Sequence, residues 1–303
     1  MECTNAFHRM IKLPLVNSTI QTTMKTKYVY FIVLALAISA CSHKEDNDFI
    51  EGTSYILTAR KCNYAWAFNA YIKKFSDEWG NYTRISPFKK DTTIKTSDFV
   101  LGFTTCNVDI KDMKKHPYRG DYQEEYKKYG ENMFIDYPPF NALSYMTENM
   151  ADEKDPVIET RLRQQLESPK TRTVSSDLPT TVLIRVDYRL TWLKDIKITC
   201  SAEIAGRAAG QSLTDLFVVQ GYYEHHNFIV TSNKNVITDK ARIKGISLSQ
   251  YLSYKPMAPA EIFLRFKEGV NVSAPVTAQF TVELITGEDK SIKTTAAAVK
   301  FVP

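Results

Sequence analysis

The chain has 303 residues, of which 44% are apolar, so it can bury a substantial core and support one large domain or two small ones. Its 39 basic and 34 acidic residues give a formal charge of +5, but Arg9, Lys12, Lys25, Lys27 and Glu2 all fall in the first 40 positions, so 35 basic and 33 acidic residues remain beyond them. That near-neutral balance excludes the basic face that nucleic-acid binding requires, and 17 tyrosines and 16 phenylalanines against only 11 glycines exclude a fibrous or low-complexity chain.

Residues 1–23 match neither a signal nor a fold and are read as lying upstream of the true start at Met24. Residues 24–40 form a signal peptide. Lys25 and Lys27 precede the apolar run Tyr28 to Ala40, and Ile38, Ser39 and Ala40 lead small side chains into Cys41. The run is shorter than the roughly 20 residues that a helix needs to cross a bilayer core. A permanent transmembrane anchor is not expected.

Ile38-Ser39-Ala40-Cys41 resembles the lipobox of bacterial lipoproteins. The resemblance implies that Cys41 is thioether-linked to diacylglycerol, freed by cleavage before it and acylated on its new amino group. The alternative is an ordinary signal peptide cut after Ala40. One acyl chain holds a protein to a membrane only marginally, at about 0.8 kcal/mol per buried methylene; a triacylated cysteine anchors it without help from the fold. Residues 41–52 read as an acidic tether. Within it Ser42-His43-Lys44-Glu45-Asp46 is similar to the export signal of Bacteroidetes surface lipoproteins, with Lys44, Glu45 and Asp46 as the signal, which implies the outer face of the outer membrane. The plain reading of the same residues is a solvated linker.

Residues 53–168 read as an α+β portion with two helices. Thr53 to Thr58 is a strand. Tyr64, Phe68, Tyr71, Ile72, Phe75 and Trp79 recur at three- and four-residue steps, which predicts an amphipathic helix whose stripe packs on a sheet rather than serving as a sugar platform. Asp98 to Ile110 is rich in β-branched and aromatic residues and predicts a strand or hairpin arm. Lys111 to Lys154 shows no clean period. Its Tyr118, Tyr122, Tyr126 and Tyr137 are candidate ligand-binding aromatics for a glycan or a peptide; the alternative is that Tyr122, Tyr126 and Tyr129 pack inward from a short helix. Asp155-Pro156 opens the second helix as cap and first residue, with Ile158, Leu162 and Leu166 on its buried face. Residues 169–180, rich in serine, threonine and proline, form a linker or crossover.

Residues 181–303 predict a β-sandwich of immunoglobulin-like type. Val182 to Tyr188, Ile196 to Ser201, Asn227 to Thr231 and Ile262 to Phe266 are strands, and Val276 to Thr286 with Ser291 to Val302 form a hairpin across Gly287-Glu288-Asp289. Gly210 to Phe217 and Gly245 to Leu252 echo one another as short helical crossovers capped by Ser212 and Ser247. The fold class is therefore mainly β. Signal, tether and β region together are similar in style to uncharacterised lipoproteins of gut Bacteroidales.

Chemistry is sparsely signed. The sequence holds no Gly-x-Ser-x-Gly, His-Glu-x-x-His, phosphate-binding glycine loop or paired Cys-x-x-Cys. Glu224-His225-His226 is the best metal candidate, yet adjacent histidines on a strand face opposite ways, so neither a metal site nor a cofactor is expected. Asp91-Thr92-Thr93 resembles the Bacteroidetes O-glycosylation sequon, which implies a glycan on Thr92. Beyond the anchor, Cys62, Cys106 and Cys200 read as three buried thiols, with a Cys62–Cys106 bridge as the alternative. The leading expectation is a lipid-anchored surface protein with a non-enzymatic binding or assembly role, its partners being the membrane and a glycan or surface protein. A surface hydrolase with two carboxylates that sequence cannot pair, or a structural component of a surface complex or fimbria, are the alternatives.

Overall fold

The computed structural model describes residues 53–77, 80–89, 92–109, 151–166, 182–222 and 227–303. The chain divides into two compact units, Met1–Thr53 with Pro179–Thr181, and Ser54–Leu178 with Val182–Pro303. The description that follows concerns the second.

Its first half supplies strands β1 (Thr53–Arg60), β2 (Tyr64–Asp77), β3 (Gly80–Pro87), β4 (Thr93–Lys95) and β5 (Phe99–Cys106), then helix α1 (Pro156–Leu166). Next come β6 (Val182–Arg189), β7 (Leu193–Cys200), β8 (Phe217–Tyr222), β9 (Ile229–Val230) and β10 (Val236–Ile237). Two short helices, α2 (Lys240–Ile243) and α3 (Leu248–Ser253), precede β11 (Glu261–Phe266). The chain closes with β12 (Val276–Ala278), β13 (Phe280–Thr286), β14 (Ser291–Thr295) and β15 (Val299–Val302).

One five-stranded sheet runs β3-β2-β5-β11-β8, and two three-stranded sheets run β14-β13-β7 and β12-β15-β4. Phenylalanines join the layers. Phe99 of β5 stacks on Phe280 of β13 at 5.1 Å and meets Phe301 of β15 edge-on at 5.0 Å, while Phe217 of β8 stacks on Phe266 of β11 at 4.4 Å. All five are buried in one core. Each such ring contributes about 1.5–3 kcal/mol by burial, and its ring contacts add about 0.5–1.5 kcal/mol a pair. The mainly β sandwich expected from the sequence is present, though β4 pairs parallel to β15. Strands from both sides of residues 169–180 share the large sheet, β5 pairing with β11, so the sandwich draws on the 53–168 stretch as well as on 181–303.

The helix predicted from Tyr64 to Trp79 is instead strand β2. A four-residue step is one helical turn but also two full strand repeats, so Phe68 and Ile72 share a face in either conformation. Ala67 faces the sandwich core while Phe68 and Ala70 join Val100 and Phe263 in a second buried cluster on the opposite face. Burial on both faces erased the alternation that marks a strand. Gly102 makes this second cluster possible: it is the register partner of both Phe68 and Phe263, and a Cβ there would stand 2.1 Å from the Phe68 ring.

Helix α1 forms as expected. Asp155 Oδ1 accepts from the Val157 and Ile158 N–H groups at 3.0 and 3.2 Å, and Ile158 and Leu162 are fully buried. Ser247 caps α3 through Gln250 N. Ser212 caps no α-helix; its hydroxyl accepts from Thr214 N at 3.4 Å beside a 3-10 turn, Thr214–Leu216. The predicted closing hairpin is broken in two, because β13 pairs with β14 whereas β12 pairs with β15 in the other small sheet. Cys62, Cys106 and Cys200 are buried free thiols. Cys62 packs in the sandwich core and Cys106, the register partner of Tyr64, ends β5; the two are not bridged. No helix among the described residues is long and apolar enough to cross a membrane.

Candidate functional site

A cluster of buried charged residues lies where the β1–β6 pair meets the large sheet. In β6 the apolar residues Ile184, Val186 and Tyr188 alternate with Arg185, Asp187 and Arg189. The apolar set packs with Leu57 and Ala59 of β1 and with Ile158 and Leu162 of α1. Alternation sends Asp187 and Arg189, with Arg60 of β1, to the other face. That face is covered too: Arg60 is 0%, Arg189 3% and Asp187 9% exposed.

Charge pairing makes this burial tolerable. Arg60 Nε donates to Asp187 Oδ2 at 2.7 Å, and Arg189 Nη1 lies 3.8 Å from the same oxygen. Arg189 Nε donates to Thr105 Oγ1 at 2.9 Å and to Thr105 O at 3.1 Å, with Nη2 also donating to that carbonyl. Thr105 in turn donates through Oγ1 to Pro259 O at 2.6 Å. The chain of contacts therefore runs from β1 through β6 to β5 and on to the segment before β11. Glu261, fully buried at the start of β11, is the register partner of Thr104.

Neighbouring groups carry the imprint of this dry setting. Burial pushes the Cys62 thiol up to about 11, although Arg189 and a hydrogen bond with Thr105 pull it the other way. Tyr188 is raised to about 12 by burial, against the hydrogen bond that its hydroxyl accepts from Asp155 N. Tyr222 and Tyr251 are also raised, chiefly by burial.

Asp187, Arg189 and Glu261 line a small cavity with Tyr222, Tyr251 and Met257, in which the space open to water centres is about 20 Å³. That admits a water and not a sugar ring or a peptide side chain. The two carboxylates thus sit in a closed seam rather than in a cleft. Chemically the arrangement ties the β1–β6 pair to the large sheet, and among the described residues it leaves space for about one water. Among the described residues no group of three or more His, Cys, Asp or Glu could hold a metal ion.

Sequence reasoning passed over Arg60, Asp187, Arg189 and Glu261. Charges at alternate strand positions read as a solvent face, and the one available signal was their density: three charges within five residues of β6. Of the residues singled out from the sequence, Thr92 is described. It precedes β4, and its hydroxyl donates to Lys89 O at 2.7 Å. Lys25, Lys27, Ile38, Ser39, Ala40, Cys41, Lys44, Glu45, Asp46, Tyr118, Tyr122, Tyr126, Tyr137 and Glu224-His225-His226 lie outside the described residues.

No protein family and no curated protein matches the sequence. Among solved structures the chain is similar to BcpA, the major pilin subunit of Bacillus cereus, at 10% identity with a TM-score of 0.15, covering 82% of this chain and 68% of the pilin. A variant of the same pilin matches at 9% identity and a TM-score of 0.15 over the same shares of each chain.

Proposed function

We propose that this chain is a lipid-anchored lipoprotein of the Bacteroidetes outer membrane, held at the cell surface through Cys41, where its β-sandwich serves a non-enzymatic assembly role with another surface protein. The address rests on Ile38-Ser39-Ala40-Cys41 behind Lys25 and Lys27. The observation that carries the assembly role is the reach of β2. It pairs with β5 only from Tyr64 to Tyr71, while its partnership with β3 continues from Ile72↔Ile85 to Asp77↔Gly80. Six residue pairs therefore form a two-stranded ribbon beyond the sheet. Its Lys73 and Lys74 are exposed. Neither strand of this ribbon has a further ladder partner among the described strands, and an open strand edge is a ready template for contact with another chain.

Metabolic labelling with a clickable fatty acid tests the anchor: the wild type takes up label and Cys41→Ala does not. Lysine-reactive cross-linking on intact cells tests the ribbon. Higher-mass species should vanish in Lys73→Glu/Lys74→Glu and persist in Lys300→Glu; an unchanged pattern in both would remove the assembly reading. Asp91-Thr92-Thr93 fits the same surface setting as a glycan acceptor, and a glycan would show as a mass increment absent from Thr92→Ala.

A further inference from the structure

Tyr222 Oη and Arg189 Nη1 are among the buried polar atoms at the charged seam that its hydrogen bonds leave over. Tyr222, at the end of β8, is 7% exposed, and its hydroxyl has no hydrogen-bond partner among the described residues. Arg189 Nη1 likewise has none; its nearest acidic oxygen, on Asp187, is 3.8 Å away. Both residues line the same cavity. Native proteins satisfy nearly all buried hydroxyls and N–H groups, with protein atoms or with ordered water.

Size and charge then select the occupant. A water needs about 10–15 Å³ of centre-accessible space, and the cavity offers about 20 Å³. Around it the formal charges of Asp187 and Glu261 cancel those of Arg189 and of Arg60, which pairs with Asp187. Among the described lining residues no net charge favours an anion or a cation, and a larger neutral solute does not fit.

We propose that this cavity is a built hydration site, holding one ordered water that accepts from Arg189 Nη1 and hydrogen-bonds with Tyr222 Oη. The water joins β6 to β8, strands that belong to different sheets. It completes the seam on the side that Thr105 does not reach. The site is independent of the anchor and of the ribbon.

Oxygen-17 relaxation dispersion of solvent water, which reads long-lived buried waters, tests the site on the full chain and on Tyr222→Phe. The variant should lose dispersion amplitude equal to one water, and its Tm should fall by about 2–4 °C, the shift expected when one net hydrogen bond is lost from a domain of this size. An unchanged amplitude with an equal or higher Tm would overturn the proposal, because deleting a hydroxyl that truly lacks a partner relieves a penalty. If Tyr222→Phe does not fold, high-resolution diffraction from the wild type decides. Density for a water within about 3.2 Å of both Tyr222 Oη and Arg189 Nη1 supports the site, and its absence sinks it.

Discussion

Replacing Asp187 by alanine should destabilise the protein more than any surface change. The carboxylate is contacted by two buried guanidiniums, at 2.7 Å for Arg60 and 3.8 Å for Arg189. At an effective dielectric near 20 these contacts amount to about 6 and about 4 kcal/mol of Coulomb attraction. Removing the acid also removes its own desolvation cost of several kcal/mol, but it takes from the fully buried Arg60 its 2.7 Å acceptor. The net loss is then about 3–5 kcal/mol, a large part of the 5–15 kcal/mol typical of a folded domain. Urea unfolding at neutral pH measures it, and Tm should fall by roughly 6–20 °C. The double variant Arg60→Met/Asp187→Leu removes both charges of the close pair and should recover much of the loss, giving a coupling energy above about 1 kcal/mol. A single-variant loss below about 1 kcal/mol, with strict additivity in the double variant, would refute the reasoning.

Gly102→Ala places a Cβ 2.1 Å from the Phe68 ring, so the ring must leave its position over β5; a cost of about 1–3 kcal/mol is expected in chemical denaturation. Asp155 is held below the usual carboxylate value by its hydrogen bond with Lys234 and by the N–H donors of Ile158 and Val157, which together outweigh partial burial. A lowered pKa means that its stabilisation is fully present above the unfolded value of about 3.9 and disappears as pH falls through the folded one. The Tm gap between wild type and Asp155→Asn should therefore be open at neutral pH and shrink as the solution is acidified below the unfolded value; a gap that widens in acid would contradict this sign. Cys62, raised to about 11 by burial, stays a protonated thiol at neutral pH, and Cys106 and Cys200 are buried too. Iodoacetamide should modify none of the three in the native chain and all three in denaturant, read by peptide mass spectrometry.

Which parts of this protein can be read from its residues depends on whether a signal is local or tertiary. Asp155-Pro156 and Ser247 carry their helix starts in two or three residues, and the structure has both caps where the sequence puts them. The strand-rich second half is equally plain, since β13 keeps the strict alternation of an antiparallel strand with one face in the core. Strand β2 was misread because cover on both faces, supplied by residues far away in the chain, replaced alternation with a spacing that two conformations share. The broken hairpin has the same origin. Gln279 N donates to Ser201 Oγ and Ser201 N donates to Gln279 O, so a contact across 78 positions sets where β12 ends and β13 begins. The seam is the extreme case. Arg185, Asp187 and Arg189 look like the wet side of β6, and only the placement of Thr105 and of the segment before β11 makes that side dry. A processing signal behaves oppositely, because it is read from the order of its side chains before any fold exists, as proposed for Ile38 to Cys41. The proposed address is therefore legible in the sequence, whereas the proposed contact surface, the outer half of β2 and β3, emerges only from three-dimensional pairing.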